Sequence, residues 1–145
     1  MIIRATLENV EQAAALFDQY RQFYQMPSDL LAAIDFLTKR VKKSDSQLYI
    51  AYDSDKPVGF IHVYPGFSSV AMKPIWLVND LFVLEPARQL GVARMLMSHV
   101  HQQAAEQNIF SVKLITAKDN WKAKALYESM GYQLNTTFDS YSKRP

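Results

Sequence analysis

Between residues 75 and 116 the chain passes from an almost continuously apolar stretch, through a short turn, into an amphipathic helix and out into a second β-rich stretch. Only Asn79 and Asp80 interrupt residues 75–84, the pattern of a strand buried on both faces. Residues 91–107 carry Ala93, Leu96, Met97, Val100 and Ala104 at helical spacing, and 110–116 read as the next strand. A strand, a helix and a strand in this order close as a right-handed parallel crossover. That unit commits the chain to an α/β fold.

The remaining elements fit around it. A strand is expected over 2–5, then a helix over 8–24 with Val10, Ala13, Ala14, Phe17, Tyr20 and Tyr24 on one face, ended by Pro27. Ser28 or Asp29 can cap a second helix, whose last turns gather Lys39, Arg40, Lys42 and Lys43. Two β-rich runs, 47–52 and 58–64, flank Asp53-Ser54-Asp55-Lys56-Pro57, a hairpin signal, and Pro65-Gly66 is expected to close the second. A last helix begins at Asp119 or Asn120, turns Ala123, Leu126, Tyr127 and Met130 inward and ends at Gly131 in the left-handed conformation. Strands over 132–136 and 138–142 complete the order βααβββαβαββ, a mixed sheet with flanking helices. At 145 residues this is one domain over 1–145, long enough to bury roughly two-thirds of its unfolded surface.

Composition narrows the chemistry. Sixteen bases and 14 acids are well mixed and leave a net charge of +2, so no broad basic face for nucleic acid is expected. No apolar run approaches the ~18 residues of a membrane span. The chain has no cysteine, which excludes a thiol nucleophile and most structural zinc sites. Together with a start that lacks the order of a signal peptide, this gives a cytoplasmic expectation.

The turn Glu85-Pro86-Ala87-Arg88-Gln89-Leu90-Gly91-Val92-Ala93-Arg94 leads into a helix with its charges reversed. Arg94 stands in the first turn and Glu106 in the last, against the preference of the helix dipole. A helix start that gathers cations and has a glycine opening its backbone suits an anion, most simply a phosphate. No Walker loop is present, and only one glycine of a dinucleotide fingerprint, so the phosphate belongs to another cofactor. A second constellation, Asn120, Ala123, Leu126, Tyr127 and Gly131-Tyr132, opens the last helix. Taken singly, Asn120 reads as a helix cap and Tyr127 as a core aromatic. His99 and His101 lie two apart on a helix and point to opposite sides, His62 reads as a structural mid-strand residue, and no G-x-S-x-G elbow occurs.

With both motifs in order over nearly its whole length, the chain resembles the GNAT superfamily of acyl-CoA-dependent N-acetyltransferases. Residues 17–24 and 78–83 look like the branch containing fungal histone and polyamine acetyltransferases. The resemblance implies acetyl-CoA as co-substrate, without a metal. The amides of Gly91, Val92 and Ala93 would hold its diphosphate, with Arg88, Gln89 and Arg94 around it. Backbone of Leu81, Phe82 and Val83 would pair with the pantetheine arm, Asn120 would bind that arm further along, and Tyr127 would stand by the sulfur. A thiol near 8.5 and a phenol near 10 can share a proton, about as acid–base catalysis needs.

The acceptor implied is a primary amine on a polyamine, an amino acid or a lysine-containing peptide, attacking the thioester directly. A strand N–H near Leu81 or Phe82 would hold the oxyanion. Asp80 is the candidate base, directly or through water, because an unpaired carboxylate in an apolar strand is costly; its alternative role is to bond loop amides. Polyamine acetyltransferases often carry Glu-Asp where this chain has Asn79-Asp80. Phe23 is expected to pack in the core and Tyr24 to border the acceptor amine. A homodimer is implied. Two competing readings are an acyl-CoA-binding regulatory module without turnover and a histone or nucleoid-associated interaction protein.

Overall fold

A computed structural model describes residues 1–145 and resolves two compact units, Met1–Ile115 and Thr116–Pro145. The first holds β1 (Ile2–Arg4), α1 (Val10–Phe23), α2 (Leu30–Lys43), β2 (Gln47–Asp53), β3 (Lys56–Ser68), β4 (Lys73–Val83), α3 (Val92–Glu106) and β5 (Val112–Leu114). The five strands form one sheet in the order β1-β2-β3-β4-β5. The first four pair antiparallel. β5 joins β4 in parallel at Trp76↔Val112, Leu77↔Lys113 and Val78↔Leu114, which is the expected crossover through α3.

Each face of the sheet has its own apolar cover. Ala13, Ala14 and Leu16 of α1 and Ala33 and Leu37 of α2 cluster with Leu48, Ile50, Phe60 and Phe82 of the strands. Leu37 and Phe60 are fully buried, each contributing about 1.5–3 kcal/mol of burial. α3 packs against β2, β3 and β4 and buries Leu96, Met97, Val100 and Ala104.

Asp18 ties α1 to the start of α2. Its buried carboxylate accepts from Ser28 Oγ at 2.6 Å, the Asp29 amide at 2.8 Å and Gln22 Nε2 at 3.2 Å. Asp29 then caps α2 by accepting from the Ala32 amide. The Ser28 hydroxyl and the Asp29 amide hold the Asp18 carboxyl below its ordinary value of 3.8. The folded chain therefore takes up this proton at lower pH than the unfolded chain. The stability conferred is complete above 3.8 and is lost as pH falls through the lower folded value. Asp18→Ala is expected to cost about 1–3 kcal/mol, because the charged acceptor of three hydrogen bonds is lost. Urea unfolding at neutral pH measures the loss, and the difference from the native chain should shrink in acid.

β3 runs further than the sequence indicates. It continues through Pro65 and Gly66, which pair with Trp76 and Ile75. The β2 ladder stops at Gln47↔Val63, so Pro65 lacks its N–H where that edge of β3 is already free.

The second unit holds α4 (Trp121–Ser129), capped by Asn120, whose side chain accepts from the Ala123 amide at 3.3 Å. Gly131 takes φ +91°, and the Gly131 and Tyr132 amides donate to the Glu128 and Tyr127 carbonyls, a Schellman ending. The strands expected over 132–136 and 138–142 are not formed. Leu134, Phe138 and Tyr141 are 78%, 77% and 91% exposed, so the alternating pattern has no face to bury. The Thr137 amide turns back onto Asn135 Oδ1, a local bond that competes with a ladder. The α/β class stands without that last pair of strands.

Candidate active site

β4 changes partners halfway along. The β5 ladder ends at Val78, and between Val78 and Asp80 the β3 register shifts, leaving Asn79 as an extra residue, a β-bulge. Beyond the bulge, β4 has β3 on one side and an open edge on the other. The Leu84 amide donates to the Val58 carbonyl of β3 at 2.8 Å. By antiparallel alternation Phe82 also turns its peptide groups to β3, whereas Leu81 and Val83 turn theirs to the open edge. Phe82 pairs with Phe60 and is buried in the core cluster, so of the three residues expected along the coenzyme arm its peptide groups are the ones taken up by the sheet.

The open edge leads through a 3₁₀ turn, Glu85–Ala87, to Gly91 at the start of α3. Gly91 takes φ +82° and no side chain caps the helix. A Cβ at Gly91 would meet nothing within 4 Å, so the glycine is required by its backbone conformation and not by close packing. Gly59 lets the helix start lie close to the sheet: a Cβ there would come 2.9 Å from the Phe82 carbonyl and 3.4 Å from Val92. Sequence reading missed Gly59, whose only signal was a glycine inside a strand.

No acid stands in the first turn of α3 and no base in the last. Glu106, unfavourable at that end, is held by the amides of Gln102 and Gln103 at 3.1 and 3.2 Å. Val92 and Ala93 are half-buried, and Gln89, at φ +64°, and Arg94 are exposed. The donor set, backbone amides with Arg94 in the first turn, fits a diphosphate. Arg88 is anchored to the chain itself. Its Nε donates to the Val83 carbonyl at 2.9 Å, and its guanidinium lies 5.8 Å and 5.7 Å from the ring centroids of Phe23 and Phe82. Phe23 is 61% exposed, so it covers Arg88 instead of filling the core.

Asp80 is buried, yet it has partners. Asn79 Nδ2 donates to Asp80 Oδ1 at 3.2 Å, and Oδ2 lies 3.3 Å from His62 Nδ1, an ion-pair distance without the alignment of a hydrogen bond. His62 is wholly buried, and its Nε2 stands 2.7 Å from Ser46 Oγ. Sequence reading left His62 as a structural residue and did not single out Ser46. Burial, together with the charge on Asp80, pushes the Tyr64 phenol up to about 12.

Tyr24 closes α1 and is 53% exposed, with its ring edge-on to Tyr20 and Phe23. In the second unit, Asn120 caps α4, and the Tyr127 ring lies 5.9 Å from that of Tyr132. Burial and the neighbouring Tyr127 push the Tyr132 phenol well up.

The model of the Acetyltransferase (GNAT) family matches residues 11–132. An uncharacterized N-acetyltransferase of Bacillus subtilis, YhfO, is 39% identical over 140 residues, covering 97% of this chain and 94% of its own. A thialysine N-epsilon-acetyltransferase of Caenorhabditis elegans is 23% identical over 131 residues, covering 90% and 81%. A crystal structure of a probable acetyltransferase superposes with a TM-score of 0.93 at 36% identity, covering 100% of this chain and 97% of that one. The open edge of β4, the glycine-opened helix start and these likenesses agree, and the chain belongs to the GNAT family of acetyltransferases.

Proposed function

We propose that the protein transfers an acetyl group from acetyl-CoA to the primary amine of a small molecule, an amino acid or a polyamine, with a lysine-containing peptide as the other acceptor of the same chemistry. The observation that carries this reading is the open edge of β4 ending at the uncapped start of α3. Bound acetyl-CoA supplies an activated thioester. The Leu81 carbonyl and the Val83 N–H pair with an extended arm as an added strand would. The amides of Gly91, Val92 and Ala93 take the diphosphate, with Gln89 and Arg94 at its side, while Arg88 braces the turn through Val83.

Asp80 accepts the proton that the ammonium must lose, directly or through a water. The Leu81 N–H is the donor for the developing oxyanion, because Phe82 faces β3. Tyr24 offers an exposed aromatic face to a cationic amine. The parts of Asn120, at the arm, and of Tyr127, as proton donor to the departing thiol, rest on the family resemblance. So do a homodimer, a cytoplasmic setting and the narrower likeness to the fungal branch. The name of the thialysine relative supports an amine on an amino-acid side chain.

A panel of thialysine, L-lysine, spermidine, a D-amino acid and a lysine-containing peptide, each with acetyl-CoA, tests the reading. Free thiol and a product heavier by one acetyl group are expected with at least one amine. Binding of acetyl-CoA with no thiol release from any of them would favour the regulatory module.

A further inference from the structure

Asp80 as the base leaves its buried neighbours without a role. The three side chains Ser46, His62 and Asp80 form one line: Ser46 Oγ to His62 Nε2 at 2.7 Å, and His62 Nδ1 to Asp80 Oδ2 at 3.3 Å. They come from the segment before β2, from β3 and from β4, so three elements converge on it. All three residues are buried, and His62 has no exposed surface.

We propose that Ser46 and His62 are positioning residues for Asp80: the Ser46 hydroxyl donates to His62 Nε2, which fixes the proton on Nδ1, the ring nitrogen that faces Asp80 Oδ2 across 3.3 Å. This inference rests on the reading of Asp80 as the base. A carboxylate can only accept, so the imidazole nitrogen facing it must be the one that carries hydrogen. The other nitrogen is then bare, and the group 2.7 Å from it must donate, which a serine hydroxyl can do. Asp80 Oδ2 thereby faces the buried imidazole, and Oδ1, bonded by the side-chain amide of the exposed Asn79, is left to meet the amine. The residue types are those of a nucleophilic triad with its direction reversed, since the carboxylate stands at the reacting end and the hydroxyl at the far end.

Ser46 also lines a cavity of about 430 Å³ with Arg4 and Ser44. The other titratable groups around the line are Tyr64, whose ring lies 4.6 Å from that of His62, and the Arg40–Asp45 pair at 3.2 Å, whose charges reach Tyr64.

The test combines nitrogen NMR of His62 in the whole chain with kinetics on acetyl-CoA and whichever amine of the panel turns over fastest. The native protein is expected to show a protonated Nδ1 and a bare Nε2. Ser46→Ala should lose that fixed tautomer, and Ser46→Thr, which keeps the hydroxyl, should retain it. In Ser46→Ala and His62→Phe, kcat is expected to fall about three- to tenfold, the worth of one hydrogen bond between neutral groups. The acidic limb of the pH profile should move to higher pH while affinity for acetyl-CoA stays unchanged. A proton on Nε2 in the native protein, or a Ser46→Ala variant with native tautomer and native pH profile, would overturn the inference even if Asp80→Asn is inactive. Full turnover in Asp80→Asn removes the base assignment itself, and this inference with it.

Discussion

Gly91→Val is expected to weaken acetyl-CoA binding about a hundredfold or more while the chain stays folded. Gly91 sits at φ +82°, where a β-branched side chain is strained by about 1–2 kcal/mol. Nothing beyond its own turn lies within 4 Å of the new Cβ, so the cost is chiefly the backbone strain. Against a stability of about 5–15 kcal/mol the fold survives. The cost falls on the ligand. Relaxing that strain turns the amides of Gly91, Val92 and Ala93 away from a diphosphate, and each hydrogen bond to a charged group is worth about 1.5–3 kcal/mol. Calorimetric titration with acetyl-CoA, beside circular dichroism for the fold, measures both. Gly91→Ala, less strained, should fall between the two. Native affinity in the valine variant would remove the diphosphate from this turn.

Tyr127→Phe is expected to lower turnover by about 10²–10⁴, the usual share of a positioned acid, with coenzyme affinity nearly intact. The substitution leaves the end of α4 in place. The Tyr127 carbonyl that accepts from the Tyr132 amide is backbone, and phenylalanine keeps the ring contact with Tyr132 at 5.9 Å. Thiol release at saturating amine gives kcat, and equilibrium titration gives the affinity. Equal loss of both would make the phenol structural.

The crossover 75–116 was legible because an apolar run, a glycine-opened helix and a second run each follow from local pattern, and the structure pairs β4 with β5 in parallel as that order requires. The caps at Asp29 and Asn120 and the glycine ending at Gly131 were legible for the same reason, being written within a few residues. The neighbourhood of Asp80 was not. Following the hairpin register from Gly66↔Ile75, an unbroken ladder would set His62 opposite Asn79 and turn Asp80 to the other face. One extra residue at the bulge brings Asp80 opposite His62, and a bulge leaves no reliable mark in a single sequence.

Arg88 shows a second limit. Its place before Gly91 suggests a phosphate contact, while the bond of its Nε to a carbonyl five residues back depends on tertiary geometry and has no local signal. The two closing strands failed for a related reason. Alternation in 132–142 gives a face, and only a neighbouring strand can give it a ladder.

The central claim is that the open edge of β4 and the start of α3 bind the coenzyme through main-chain nitrogen. Backbone amide NMR of the native chain during titration with acetyl-CoA tests it most directly. The amides of Leu81, Val83, Gly91, Val92 and Ala93 are expected to shift together and to exchange more slowly with solvent at saturation. Saturable binding that leaves these five amides unmoved would contradict the account.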